Sequence, residues 1–106
     1  MSDGNNELIL EIIDIFVVQA EEIWTQMDEL LVKKDYDSLG KLAHKAKSSV
    51  AIMGMQKMAL ELKEFELNCQ DQINIESFES KIINFKSECL QVIQELEEYK
   101  KTLTTS

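Results

Sequence analysis

The sequence predicts an all-α fold, an antiparallel up-down four-helix bundle, and leaves open a short extra helix at the N-terminus. Apolar residues recur in steps of three and four along almost the whole chain, the spacing that places side chains on one side of a helix. The 106-residue chain has no Pro and only 3 Gly, too few for the turns of a sandwich or barrel. Amphipathic helices joined by short connections bury their apolar stripes best in a bundle.

The first helix is predicted over residues 6–34. Its early part carries Leu8, Leu10, Ile12 and Val17 in addition to its main stripe, so it is apolar nearly all round. Either this part is covered on several sides, or a short first helix folds over the end of the bundle. The main stripe has the spacing of a bundle seam and comprises Ile9, Ile13, Phe16, Ala20, Ile23, Met27 and Leu30.

Three further helices are predicted over residues 36–53, 55–69 and 75–101. Gly54 suits the end of the second helix because glycine accepts a left-handed backbone, and Asn74 is a ready cap for the last. A coiled-coil assembly through the last helix is the competing interpretation, but the short connections favour packing within one chain. We therefore expect a single domain over residues 1–106, and a monomer.

Composition excludes several classes of function. The chain has 20 acidic and 11 basic residues and a net charge of −9, which disfavours nucleic-acid binding because that rests on basic side chains. No apolar run approaches the roughly 20 residues of a membrane-spanning helix, and the polar start lacks a signal sequence. We therefore expect a cytoplasmic protein with no nucleic-acid or membrane partner. Cys69 and Cys89 have no metal-ligand spacing, and we expect two reduced core thiols, although sequence alone leaves a disulfide open.

The second helix carries the only His of the chain, within a basic window. Residues 38–60 contain four Lys and no acid. With about 100° per residue, His44 lies roughly 160° from Ala46, the centre of the apolar stripe, and so faces solvent. A lone exposed His is most often only a surface residue. His44 differs because small and basic side chains surround it on the same face, namely Lys41, Lys47, Ser48 and Ala51.

These residue types together suit the acceptance of a phosphoryl group on a ring nitrogen. A neutral imidazole is a competent nucleophile near pH 7, since its unperturbed pKa is about 6.5. Lysine ammonium groups offset the charge of a phosphoryl group during its transfer. The small residues beside His44 allow another protein to approach the ring closely.

The stretch 43–54 reads AHKAKSSVAIMG. It resembles the motif of histidine-containing phosphotransfer (HPt) domains of multistep two-component phosphorelays. That motif has an Ala-His pair, a Lys three residues after the His, then Gly and Ser, and a Gly ten residues after the His. Ser48 departs from it, because the family usually has Gly there. The resemblance extends over about residues 8–65, and the positions that match the motif are His44, Lys47, Ser49 and Gly54.

The resemblance implies a role for each matching residue. His44 would be phosphorylated on the ring nitrogen farther from the backbone, and Lys47 would stabilise the phosphoryl charge. Ser49 would pack or bond between helices, and Gly54 would end the helix. The surface that docks a partner would comprise Lys41, Lys45, Ser48 and Ala51, with Lys45 the weakest member because it points about 100° away from the histidine.

The resemblance implies a phosphate carrier rather than an enzyme. The chain has no Gly-rich ATP loop, so we expect no kinase activity of its own. We expect no cofactor bound by this chain, with Mg²⁺ held by the partner, which would be a receiver domain of a response regulator or of a hybrid histidine kinase. The alternative is a helical module that docks a receiver domain, which Ser48 favours, or that oligomerises, in either case without accepting phosphate.

Overall fold

Four long helices account for most of residues 3–104, the part of the chain that the computed structural model describes. Each helix contacts the next one along the chain, and the last contacts the first again. This closed arrangement confirms the predicted all-α four-helix bundle. The helices are α1 (Asp3–Lys33), α2 (Tyr36–Ile52), α3 (Gln56–Asp71) and α4 (Phe78–Thr104), and one 3-10 turn, Ile75–Ser77, precedes α4.

The N-terminal part of the bundle differs from both predicted arrangements. α1 is one continuous helix from Asp3, so no separate short helix exists within the described residues. α1 and α4 have 31 and 27 residues, whereas α2 and α3 have 17 and 16. Because the short helices end early, they do not cover the start of α1 on several sides. Three apolar side chains there remain exposed, namely Leu8, Ile12 and Ile15.

The connection between α3 and α4 departs from prediction at Asn74. Its backbone is left-handed, with φ 57°, and its side chain makes no capping hydrogen bond. Its carbonyl oxygen instead accepts the backbone N–H of Ser77 at 2.9 Å and the Ser77 hydroxyl at 2.7 Å. The predicted side-chain cap is therefore wrong, because Asn74 serves as the left-handed residue of the turn, a conformation that Asn tolerates well.

Both ends of α2, the helix that carries the histidine, are fixed by local interactions. At its start, the Asp35 carboxylate accepts the backbone N–H of Ser38 at 3.2 Å. Hydrogen bonding by the side chain of Ser38, and then by its backbone N–H, lowers the pKa of Asp35. At its end, Gly54 adopts φ 78°, a left-handed backbone that glycine enters without a steric penalty. The prediction that Gly54 ends the helix is confirmed.

The core is one apolar cluster that runs between all four helices. Within this cluster the buried Phe78 ring meets Phe65 edge-on at 5.1 Å and Tyr36 edge-on at 5.7 Å between centroids. Cys69 and Cys89 are buried in this cluster as free thiols, as predicted. Burial raises the pKa of each to about 12. Within residues 3–104, no helix has the length and apolar content needed to cross a bilayer.

Gly54→Ala should lower the free energy of unfolding by about 1 kcal/mol, because a left-handed backbone is strained for any residue with a Cβ. A Cβ at this position would meet nothing within 4 Å, so the loss would come from the backbone alone. Urea unfolding measures it. Gly54→Asn is the matched control and should lose less, since Asn tolerates this conformation. An alanine variant as stable as the parent would contradict the prediction.

Candidate functional site

The His44 ring projects from the middle of α2 into solvent, with 65% of its side chain exposed. The face of α2 is set by Ala43, Ala46 and Val50, which are all buried in the core. Since these residues hold the opposite side of the helix inward, the ring has no way to turn into the bundle. The wheel-based prediction of a solvent-facing histidine is confirmed.

A carboxylate from α3 holds the ring on its inner side. The His44 Nδ1 atom lies 3.2 Å from Glu66 Oε1 and 3.1 Å from Glu66 Oε2. The Lys47 ammonium donates to Oε1 at 3.1 Å, and the Gln70 amide donates to Oε2 at 3.4 Å. Glu66 is 14% exposed by side-chain area, so three side chains converge on one largely buried carboxylate.

These contacts determine the ionisation of Glu66. Burial raises the pKa of its carboxyl, but hydrogen bonds from Lys47 and His44, with the charges of the same two groups, outweigh burial and lower the pKa below its ordinary value. Glu66 is therefore charged at neutral pH. A carboxylate only accepts hydrogen bonds, so of the two neutral tautomers of the imidazole it favours the one with the proton on Nδ1. The lone pair of that tautomer lies on Nε2, the ring nitrogen that does not contact Glu66.

Reasoning from the sequence did not identify Glu66 as a residue of this site. The helical wheel considers α2 alone, whereas Glu66 belongs to α3, 22 residues later in the chain. A usable signal was present, since Glu66 lies between the seam positions Phe65 and Cys69. A residue at that edge of the buried stripe of α3 faces the neighbouring helix α2.

Of the basic and small residues predicted around His44, one is partly buried against the site and the other four are exposed. Lys47 is partly buried and lies beside the ring through their shared carboxylate. Lys41 is exposed and forms an ion pair with Asp37, one turn earlier, at 3.3 Å. Lys45, Ser48 and Ala51 are exposed on α2, as the docking prediction requires.

Ser49 lies outside this site. Its hydroxyl donates to the Gln19 side-chain carbonyl of α1 at 3.0 Å. The prediction that Ser49 bonds between helices is therefore confirmed. Since Gln19 fixes this part of α2 to α1, the bond also helps to hold the helix that carries His44.

An apolar groove, which the sequence reasoning did not identify, runs between α1 and the end of α2. Ile52 is two turns beyond His44 and 74% exposed. Across from it on α1 are the exposed Ile12 and Ile15, with Phe16 forming part of the lining. We name the exposed members, Ile12, Ile15 and Ile52, the α1–α2 apolar groove.

Comparison with known proteins decides the family. The family model described as Hpt domain matches residues 11–102 of the chain. The chain belongs to the Hpt domain family. Among curated proteins it is similar to the phosphorelay intermediate protein YPD1 of Candida albicans, with 27% identity over 88 residues, which cover 83% of the chain. No solved structure matches it significantly.

Membership of the Hpt domain family confirms the family resemblance predicted from the 43–54 motif. The chain spans about half of the relative that it matches, 47% of that protein's length. The family match does not distinguish individual residues, so the roles of His44, Lys47 and Glu66 in this Hpt domain rest on the geometry.

Glu66→Gln in this Hpt domain should cost about 1 kcal/mol of unfolding free energy at neutral pH, because Lys47 loses a charged partner. The pKa of Glu66 is lowered from 4.5. Its stabilisation is therefore complete above that value and is lost as the pH falls through the lowered pKa. Urea unfolding at a series of pH values should show the wild-type advantage shrinking as the pH falls below the ordinary pKa of a glutamate side chain.

The control for this measurement is Glu64→Gln on the same helix. Glu64 is 68% exposed and lies 4.0 Å from Lys81, so removal of its charge should change stability little at any pH. An advantage of the parent over Glu66→Gln that stayed constant to the lowest pH would show that the Glu66 charge is not responsible.

Proposed function

We propose that His44 is the residue of this Hpt domain that carries the phosphoryl group, accepting it from the aspartyl phosphate of one receiver domain and passing it to the aspartate of another. The observation that carries the proposal is the exposed ring with Nδ1 held 3.1 Å from a Glu66 oxygen. Because the carboxylate binds Nδ1, it does not block Nε2, and Nε2 is available as the nucleophile.

The transfer needs no proton acceptor at Nε2. The lone pair of His44 Nε2 attacks the phosphorus of the acyl phosphate, and the bond between phosphorus and the aspartyl oxygen breaks, so the aspartate leaves as a carboxylate. The ring keeps its Nδ1 proton and acquires positive charge, which the Glu66 carboxylate stabilises. In the second transfer the aspartate of the next receiver attacks phosphorus, the N–P bond breaks and the neutral ring returns.

Lys47 is proposed to stabilise the phosphoryl charge. Its ammonium lies beside the ring because both bind Glu66, at 3.1 Å in the case of Lys47. Glu66 also limits the motion of the Lys47 side chain, which is 28% exposed. Because the Lys47 side chain is already restrained, it loses less conformational entropy on binding a phosphoryl oxygen than a freely moving lysine would.

The receiver is proposed to dock on the face around His44 and to extend along the α1–α2 apolar groove. Ser48 and Ala51 give the close approach, Lys45 adds positive charge, and the groove supplies apolar area. Lys45 stays the weakest of the proposed docking residues because it points about 100° away from His44, and the ion pair with Asp37 offsets part of the charge of Lys41. The matching partner surface has an apolar centre with acidic residues at one side.

Further parts of the proposal follow from the carrier role. The chain is proposed to work as a cytoplasmic monomer without kinase activity of its own and without a bound cofactor, while the receiver holds the Mg²⁺. The receiver domain of a hybrid histidine kinase is a proposed donor, and that of a response regulator a proposed acceptor.

The proposal is tested by incubating the chain with a phosphorylated receiver. The chain should gain a label that is labile in acid and stable in alkali, as expected for phosphate on a ring nitrogen, and His44→Gln should gain none. His44→Gln should keep its affinity for the receiver, since the docking surface is intact. An acid-stable label, or labelling of His44→Gln, would show that another residue accepts the phosphate.

The docking surface is tested separately by affinity. Ser48→Arg adds bulk beside the ring, and Ile15→Asp places a charge in the groove, so each should weaken receiver binding about tenfold or more by calorimetry. Ile83→Asp is the matched control, because Ile83 is an exposed isoleucine on α4, 60% exposed against 55% for Ile15. Equal effects of Ile15→Asp and Ile83→Asp would remove the groove from the interface.

A further inference from the structure

α2 and α3 approach each other closely at Gly40. A Cβ placed on Gly40 would lie 3.1 Å from the Cys69 Cβ and 3.5 Å from the Glu66 backbone oxygen. The first distance is tighter than nine in ten of the contacts that Cβ atoms make in proteins. Gly40 is buried within α2, so the backbones of the two helices are in near contact at this position.

The close approach is the only need for glycine that the structure shows at this position. Within the described residues, Gly54 is the only glycine with a positive φ. Gly40 therefore has an ordinary helical backbone, which alanine adopts more readily than glycine does. Glycine in the interior of a helix is destabilising relative to alanine. What glycine provides at position 40 is therefore the missing side chain between the two helices.

The contact lies directly beside the site. Gly40 is one helical turn before His44, and the atoms that face it belong to Glu66, Cys69 and Gln70, the last with its Cγ at 3.9 Å. Gln70 also donates to the Glu66 carboxylate. The helix spacing at Gly40 thus determines how far the carboxylate on α3 stands from the ring on α2.

We propose that Gly40 is a positioning residue for the phosphotransfer histidine, because its missing side chain lets α3 approach closely enough for Glu66 to hold His44 Nδ1. The inference rests on the proposed function of His44. The two distances from Nδ1 to the carboxylate, 3.2 and 3.1 Å, are already at the long end of ordinary hydrogen bonds. A displacement of a few tenths of an ångström weakens both contacts, and with them the selection of the tautomer.

The test is Gly40→Ala, with the tautomer of His44 as the readout. His44 is the single histidine, so its two ring nitrogens give unambiguous ¹⁵N signals in the full chain at alkaline pH, where the ring is neutral. The wild type should have its proton mainly on Nδ1. In Gly40→Ala the ratio of the two tautomers should shift towards Nε2–H, and transfer from a phosphorylated receiver should slow roughly three- to tenfold.

Two further variants separate positioning from a general loss of structure. In a Glu66→Ala background, Gly40→Ala should leave the tautomer ratio unchanged, because the acceptor through which it acts is absent. Cys69→Gly combined with Gly40→Ala moves the missing side chain to the other helix and should restore the wild-type ratio. Cys69→Gly alone should leave the ratio near that of the wild type.

An unchanged ratio in Gly40→Ala, or an equal shift with and without Glu66, would overturn the inference. If Gly40→Ala does not fold, the double variant decides, since recovery of both folding and ratio supports the inference and loss of either overturns it. The tautomer ratio is measured without a receiver. A shifted ratio in a chain that accepts no phosphate would therefore reject the proposed function and leave the positioning role intact.

Discussion

The hydrogen-bonded carboxylate of Glu66 is the interaction on which the site depends. It connects the two helices of the most closely packed pair, and it accepts hydrogen bonds from the ring and from Lys47 at nearly the same distance. One charged group thereby sets the tautomer of His44 and restrains the lysine beside it. Its burial would be costly without these donors, so the same contacts that prepare the site also stabilise the packing of α3 on α2.

The rigidity of the surrounding bundle explains how a site on an open surface stays ordered. The ring itself is exposed, and fixed groups hold it from one side only. Ala43 and Ala46 are fully buried beneath it, and Ser49 bonds α2 to α1 at the next turns. The site therefore combines an accessible nucleophile with a fixed backbone, which is what a group-transfer step between two proteins requires.

Much of the fold followed from local patterns, and what was missed depends on contacts between elements. The four helices and the exposure of His44 follow from helical periodicity, and the end of α2 at Gly54 follows from the backbone freedom of glycine. Glu66 was missed because its role depends on how α3 packs against α2, which the wheel of a single helix does not contain. The apolar groove was missed because the uncovered side of α1 depends on the relative lengths of the helices. Asn74 shows that a residue suited to capping also suits a left-handed turn.

The single exposed ring has a kinetic consequence. Under the proposed function, donor and acceptor receivers must both reach the same Nε2 atom on the same face of α2, so they cannot be bound at one time. Phosphoryl transfer then follows a ping-pong order, in which the donor receiver dissociates before the acceptor receiver binds. The rate of transfer from donor to acceptor is consequently limited by how fast each receiver domain dissociates. A docking surface that bound either receiver too tightly would slow the phosphorelay.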